Sequence, residues 1–139
     1  MSSVCASPPR LLVCVNKNGM SYEKIKASGV FCVNVLSESQ DVVAKSFAGM
    51  LGKDMDRFSV GHWHTLKTGS PALQDAAAIF DCTVAETIDQ FSHTIFLGNV
   101  LAAWSGTGTD TLLYGAKRFR TLRKVMAAPN EAEVESLYF

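Results

Sequence analysis

Two polar segments carry the side chains that could recognise a small anion. The first, Asn16–Ser21, combines amide, ammonium and hydroxyl groups directly after an apolar run. The second, residues 49–58, is a glycine-containing polar loop with Lys53 and Arg57. Loops rich in Asn, Ser, Lys and Arg offer hydrogen-bond donors and positive charge, which suit an anionic ligand. These residue types therefore predict a ligand site, without naming the ligand.

The histidines and the basic run allow both a structural and a functional interpretation. His93 lies in an apolar segment, where a lone histidine is more often a hydrogen-bonded structural residue. His62 and His64 could form half of a metal site, but no nearby carboxylate or cysteine completes it, so we expect no metal. The basic residues of segment 117–124 favour a solvated helix face, with contact to a phosphorylated ligand as the alternative.

Common catalytic motifs are not met. Gly106 and Gly108 have no glycine at position 111, so the dinucleotide-binding fingerprint fails. Phe47 stands where a P-loop ending at Lys53 would need its first glycine. The sequence also has no Gly-x-Ser-x-Gly motif of the α/β-hydrolases. The residues alone thus indicate binding and no particular nucleophile or acid–base pair.

Length and composition predict one globular domain. The chain has 139 residues, 47% of them hydrophobic, with 13 basic and 13 acidic side chains that cancel. This balance argues against a nucleic-acid binder and against attachment to membranes by charge. No apolar run reaches about 18 residues and no signal peptide is apparent, so we expect a cytoplasmic protein. Four cysteines without Cys-x-x-Cys spacing are expected to be reduced core residues.

Apolar runs bounded by turn residues predict the strands that must position the polar segments. Leu11–Asn16 and Val30–Leu36 are expected as buried strands, and Asn34 in the second would need hydrogen-bond partners. Ile79–Thr87 and Ser92–Trp104 are expected as an antiparallel pair joined around residues 88–90. A hairpin turn at 105–110 should then lead into residues 112–114.

Three helices are predicted between and after these strands. The first, Tyr22–Ser28, would be capped by Ser21 and ended by Gly29. Ser37 and Gln40 have capping-box spacing before a second helix that ends near residue 49. Residues 117–127 favour a third helix. Five or more strands with short helices predict a mainly β protein, an antiparallel barrel, with a domain at residues 1–128 and a tail at 129–139.

The ordered motifs of the chain resemble a known family. The segments PPRLLVCVNKNG, GVFCVNVL, FAG, DRF, TGSPAL, HTIFLGNV and LLY occur in the order found in the flavin reductase family with an FMN-binding split barrel. The resemblance covers roughly residues 4 to 120, and family members have further residues before the position matching Ser2. It implies an antiparallel split β-barrel of the Greek-key, FMN-binding type with a few short helices, assembled as a homodimer.

The resemblance also implies an activity. Such proteins are NAD(P)H:flavin oxidoreductases that bind FMN, or FAD, use NADH or NADPH, and supply reduced flavin to a partner monooxygenase. The cofactor carries the hydride chemistry, which agrees with the missing acid–base pair. Two alternatives remain: a flavin-binding electron-transfer protein without reductase turnover, and a reductase of a flavin-linked substrate such as a corrinoid.

Residue roles follow from the positions that match the family motifs. His93 would contact the nicotinamide side and is the candidate catalytic residue, whereas no residue is expected to bind metal. The resemblance places cofactor contacts at the serine-rich start, at the end of the first apolar strand, in the following loop, in the basic loop and in the LLY element. These cofactor-binding candidates are Ser2, Ser3, Val4, Cys14, Val15, Asn16, Lys17, Asn18, Ser21, Lys53, Arg57, Tyr114 and Arg118.

Overall fold

Antiparallel strands make up most of the protein. The computed structural model describes residues 1–52 and 54–122. Within them lie strands β1 (Ser2–Ala6), β2 (Pro9–Asn16), β3 (Val30–Val35), β4 (Trp63–Thr65), β5 (Pro71–Leu73), β6 (Ala78–Gln90), β7 (His93–Ser105), β8 (Leu113–Gly115) and β9 (Arg118–Arg120), helices α1 (Met20–Ser28) and α2 (Asp41–Phe47), and a 3₁₀ turn, Arg57–Ser59. The main sheet has the order β1-β2-β7-β6-β3, and β4-β5 and β8-β9 form two small hairpins. The prediction of a mainly β, antiparallel protein is confirmed.

The long β6–β7 hairpin dominates the sheet and is longer than predicted. Its strands pair, with two register shifts, as far as Gln90 opposite His93, so the loop consists of Phe91 and Ser92 only. The expected connection at residues 88–90 was wrong because Ile88 pairs with Ile95 and extends the ladder. This pairing carries His93 to the very end of the sheet, beside the end of β2.

The core consists of two apolar clusters. The first joins Leu11, Tyr22, Phe31, Cys82 and Phe96, and thereby packs α1 against the sheet. The second joins Val43 of α2 to Leu73 of β5 and Ile79 of β6, among others. Apolar contacts therefore hold both helices against the strands, and these contacts determine the direction of each helix.

The helix ends differ from the predictions in part. Gly29 ends α1 in a left-handed conformation (φ 69°), and its N–H donates to the Ile25 carbonyl, as predicted. Ser21 does not cap α1: the helix begins at Met20, two residues earlier than predicted, so Ser21 lies in its first turn. At the second helix, the Gln40 side chain accepts from the Ser37 N–H at 2.9 Å, but the predicted capping box was wrong because Gln40, and not Ser37, is at the N-cap of α2.

The described chain ends in a hairpin whose second strand lies where the sequence predicts the start of a helix. β8 pairs with β9, with the turn at residues 116–117 in positive φ. Tyr114 and Phe119 are cross-strand neighbours with ring centroids 5.1 Å apart, a pair that favours the hairpin over a helix. β8 does not return along β7 as expected, and Thr111 instead bridges to Ser37. The rest of the predicted helix, the 128/129 boundary and the tail lie outside the described residues.

The cysteines are free, but only some of them are core residues. Cys82 is buried and Cys32 half-buried, whereas Cys5 and Cys14 are exposed. The expectation for Cys14 was wrong because side chains alternate along β2, and the face that packs on the core carries Leu11. None of the described helices is long and apolar enough to cross a membrane.

Candidate functional site

A large cavity lies beside α1 and the outer edge of the sheet. Its volume is about 760 Å³, which is within the range of small-molecule sites. One face of α1 lines it at helical spacing, through Ser21, Lys24, Ile25 and Ser28. The side chains of β3, α2 and the segment 68–71 complete the lining. Of these α1 residues only Ser21 had been predicted to bind a ligand.

An aromatic wall closes one side of the cavity. It consists of Phe47 at the end of α2, Phe58 of the 3₁₀ turn and Trp63 of β4. Their ring centroids lie 5.1 to 5.5 Å apart, with Phe58 edge-on to both of the others. The Arg57 guanidinium donates to the Phe47 carbonyl at 3.2 Å and ties the turn to α2. Phe47 and Phe58 remain 37% and 44% exposed, so ring surface is left for contact with a ligand.

A buried carboxylate holds another part of the cavity wall, the segment 68–71. Asp81 of β6 is fully buried and accepts from the N–H of Thr68 at 2.8 Å and from its hydroxyl. Thr68, Gly69, Ser70 and Pro71 all line the cavity. Sequence reasoning missed Asp81, although an acid inside the apolar run IFDCTV was a detectable signal. A carboxylate so buried requires hydrogen bonds, and here they define the shape of this wall.

Asn34 has the partners that its half-buried position demanded. Its side-chain nitrogen donates to the Pro71 carbonyl at 3.1 Å, and its oxygen accepts from the Leu73 N–H at 2.7 Å. The amide therefore replaces a backbone ladder between β3 and β5. Together with Asp81 it fixes the segment 68–71 from both ends.

A second group of polar residues, the strand-end cluster, comprises Asn16, Lys17, Asp89 and His93. Asn16 pairs with His93 across β2 and β7, and the Lys17 N–H donates to the Ser92 carbonyl at 2.9 Å. Lys17 Nζ lies 3.4 Å from Asp89 Oδ1. His93 is exposed, with Nδ1 2.9 Å from the Ser92 hydroxyl. The structure thus brings two predicted cofactor ligands beside the predicted catalytic residue.

Asp89 is the member of this cluster that the sequence did not reveal. The hydroxyl of the buried Thr94 donates to it at 2.6 Å, and this bond lowers its pKa, aided by the nearby Lys17 ammonium. The carboxylate therefore stays ionised at neutral pH and anchors Lys17. Thr94, its partner across the β6–β7 hairpin, could be recognised only once the strand register was known.

The outer edge of β2 is open where the strand approaches this cluster. β1 pairs with β2 only as far as Leu12, opposite Ser2. Within residues 1–52 and 54–122, no strand pairs with this side of Val13–Asn16. Backbone N–H and C=O groups there are obligatory hydrogen-bonding groups. This edge can therefore bind a flat polar ligand such as a pyrimidine-like ring.

The other predicted site residues are more scattered. Val15 packs against the first apolar cluster, and the Asn18 N–H donates to the Asn16 side chain at 2.9 Å. Tyr114 and Arg118 lie exposed on the β8–β9 hairpin, and Lys53 lies outside the described residues. In the part of the chain that the structure describes, no group of His, Cys, Asp and Glu could hold a metal ion. The remaining candidates, Ser2, Ser3 and Val4 on β1 and Cys14 on β2, are exposed.

Comparisons with known proteins identify the family to which this chain belongs. The model of the "Flavin reductase like domain" matches residues 1–123. The chain belongs to the flavin reductase family. Among its relatives, FMN reductase (NADH) RutF of Agrobacterium fabrum is 38% identical over 120 residues, which cover 86% of this chain and 68% of the relative.

Solved flavin reductases share the fold. The NADH:FAD oxidoreductase SgcE6 of Streptomyces globisporus C-1027, solved with NAD and FAD fragments, matches with a TM-score of 0.77 and 30% identity over 94% of this chain and 74% of its own. The styrene monooxygenase flavin reductase of Pseudomonas putida S12 matches with a TM-score of 0.75 and 30% identity, covering 90% and 78%. These matches confirm the predicted split-barrel class.

Proposed function

We propose that this flavin reductase-family chain catalyses the NADH-dependent reduction of FMN. The relatives support this activity, since FMN reductase (NADH) RutF matches most of the chain. In the structure, the strand-end cluster is the observation that supports this activity most. An open backbone edge, two candidate cofactor ligands and an exposed histidine lie side by side there. The loop 16–19 leads from this point into α1, whose Ser21 lines the cavity.

The residues present suit FMN. The polar edge of its ring system can pair with the outward-facing backbone groups of Val13–Val15, with Lys17 held alongside by Asp89. The phosphate suits the first turn of α1, where Ser21 is exposed and the helix has no side-chain cap. Arg57 and Lys53 would add positive charge from the basic loop. When bound, FMN supplies the hydride acceptor, so the protein needs only to bind and orient.

His93 would orient the nicotinamide. Its ring is exposed at the end of β7, and Ser92 restrains one ring nitrogen. Holding the nicotinamide ring against the flavin ring lowers the activation barrier of hydride transfer, because the reacting atoms are already oriented. His93 can contribute to this orientation without transferring a proton. Reduced flavin would then leave for a separate flavin-dependent monooxygenase, as the name of the styrene monooxygenase flavin reductase implies for that relative.

The test is an NADH oxidation assay with the purified chain and added FMN, followed at the nicotinamide absorbance band. We expect NADH loss that depends on FMN. His93→Ala should lower kcat about tenfold, because orientation of the nicotinamide is lost. His62→Ala, an exposed histidine outside the cluster, is the matched control and should leave kcat unchanged. Bound flavin without NADH consumption would instead favour an electron-transfer protein.

A further inference from the structure

The tip of the β6–β7 hairpin carries an aromatic side chain in an unfavourable backbone conformation. Phe91 has φ 43°, a region that glycine adopts readily and bulky side chains rarely do. The other non-glycine residues with positive φ in the described chain are Asp75, Ala116 and Lys117, so Phe91 alone is aromatic. Its side chain is 97% exposed, so almost none of it packs against the described residues. Backbone strain that packing does not offset is typical of residues that serve a binding site.

The neighbours of Phe91 hold this turn in place. Gln90 pairs with His93 in the ladder, and the Ser92 carbonyl accepts from the Lys17 N–H at 2.9 Å. The Ser92 hydroxyl also lies 2.9 Å from His93 Nδ1. The two strands and the loop after β2 therefore fix the backbone on both sides of Phe91. As a result, Phe91 lies at the strand-end cluster, two residues before His93.

The side chains around this turn are polar. Segments 16–19 and 89–93 contribute amide, hydroxyl, ammonium, carboxylate and imidazole groups, and Phe91 is their only apolar side chain. Asn18 and Gln90 are exposed, and their amides can exchange hydrogen bonds with an amide of a ligand. The centre of a protein interface is an apolar patch, which these two segments do not provide. One aromatic ring among polar groups instead suits a small molecule that has a flat ring with polar substituents.

The order of the strands indicates which ring this is. β2 has β7 on one side, and its other side carries the open backbone edge proposed above for the flavin. Phe91 lies on the β7 side of β2, where β6 and β7 end and where His93 is exposed. Phe91 is therefore on the side of the cluster at which the nicotinamide would bind. A nicotinamide ring is flat and carries a carboxamide, as this mixture of groups requires.

We propose that the Phe91 ring contacts the nicotinamide ring of NADH and thereby determines the affinity for this substrate. The proposal rests on the proposed reductase function. Contact between two flat rings contributes to binding, whereas His93 would orient the same nicotinamide for hydride transfer. Loss of the Phe91 ring should therefore raise KM and leave kcat nearly unchanged, which distinguishes it from the loss of His93.

Steady-state kinetics of Phe91→Gly test the proposal. We expect KM for NADH to rise about five- to tenfold, with kcat and KM for FMN unchanged within about twofold. Reduced nicotinamide mononucleotide carries the same ring, so its KM should rise by the same factor. Phe91→Tyr keeps an aromatic ring and should keep the KM of the wild type. An unchanged KM for NADH, or a rise confined to FMN, would overturn the proposal.

A matched control separates ring contact from a change in backbone strain. Asp75→Gly also places glycine at a positive φ (60°), and Asp75 lies before the start of β6, at the end of the strand opposite Phe91. This variant should leave KM for NADH unchanged. Because the exposed Phe91 ring has little packing to lose, Phe91→Gly should keep or raise Tm, measured by circular dichroism. A fall in Tm of more than about 5 °C would assign the ring to folding and overturn the proposal.

Binding and mass measurements separate this proposal from its alternatives. Titration of NADH fluorescence reads binding without turnover, and Phe91→Gly should raise Kd about five- to tenfold even if the wild-type chain reduces no flavin. Turnover by the wild type with equal Kd values for both proteins would reject the contact and keep the reductase. Light scattering should give the same mass for both proteins. A lower mass for Phe91→Gly would assign the ring to a contact between subunits and overturn the proposal.

Discussion

Asp81 illustrates how a single buried side chain governs its neighbours. It has no exposed surface, and its hydrogen bonds in the described structure come from Thr68. A buried carboxylate without a cation is costly, so each of these bonds matters for stability. Its charge also acts on two thiols. Burial, with Asp81 as the second cause, raises the pKa of Cys32 to about 12 and that of Cys82 to about 11.

The raised pKa values predict two classes of cysteine. A higher pKa means fewer thiolates at a given pH, and the thiolate is the reactive form. At pH 8 we expect exposed Cys5 and Cys14 to react rapidly with Ellman's reagent, and Cys32 and Cys82 to react only after unfolding. The measurement is a stopped-flow thiol titration with and without denaturant. Cys14→Ser should remove one fast thiol, and four thiols of equal rate would contradict the assignment.

At the scale of elements, the close approach of β3, β6 and β7 depends on one glycine. A Cβ at Gly98 of β7 would lie 2.5 Å from Phe31 Cζ and 3.0 Å from Cys82 Cβ. Phe31 therefore packs directly over the β7 backbone. The same strands carry His93 and Asp89, so this contact also determines the position of the strand-end cluster.

Gly98→Ala should consequently destabilise the protein. We expect a loss of about 2 kcal/mol in the free energy of unfolding, because Phe31 must leave its rotamer or the strands must move apart. Urea denaturation followed by circular dichroism gives the value. Gly115→Ala on β8 is the matched control, since its added Cβ would meet nothing within 4 Å, and it should change stability by less than about 0.5 kcal/mol. Equal effects of the two substitutions would exclude the steric explanation.

At the scale of the whole molecule, the main sheet ends in two outer strands, and among the described residues no further strand pairs along either of them. β1 and β3 are its terminal strands, and large apolar side chains such as Val4 and Trp104 are 48% and 46% exposed. Open edges and exposed apolar groups are features that association commonly covers. They support the homodimer that the family resemblance implies.

We therefore predict a dimer in solution. Light scattering coupled to size-exclusion chromatography should give twice the chain mass of 15.0 kDa at micromolar concentration. The measured mass should fall on dilution, as the dimer dissociates. If apolar contacts alone hold the subunits together, added FMN should not change this mass. A monomer mass throughout the dilution series would reject the dimer while leaving the reductase assay as an independent result.

The sequence by itself determined the local features of this protein. Apolar runs predicted the strands β2, β3, β6 and β7. The expectation that β2 and β3 are buried strands was wrong in part, because Leu11 and Phe31 are the buried residues of these strands and the others are half-buried or exposed. The end of α1 could be predicted from Gly29, because glycine readily adopts positive φ. The need of the Asn34 side chain for hydrogen-bond partners could likewise be predicted from its place in an apolar strand. The family resemblance added the activity, through motifs whose chemistry the residues alone left open.

Only the tertiary structure decided which distant residues meet. Asp81 binds Thr68 thirteen positions away, and Asp89 meets Lys17 because of a strand register that local patterns do not encode. β9 stands at the start of a predicted helix, where Phe119 pairs with Tyr114 across the hairpin, a contact that local propensity does not encode. Cys14 is exposed and the aromatic wall faces a cavity for the same physical reason. Packing of the whole chain, and not the type of a residue, selects which face of each element is covered.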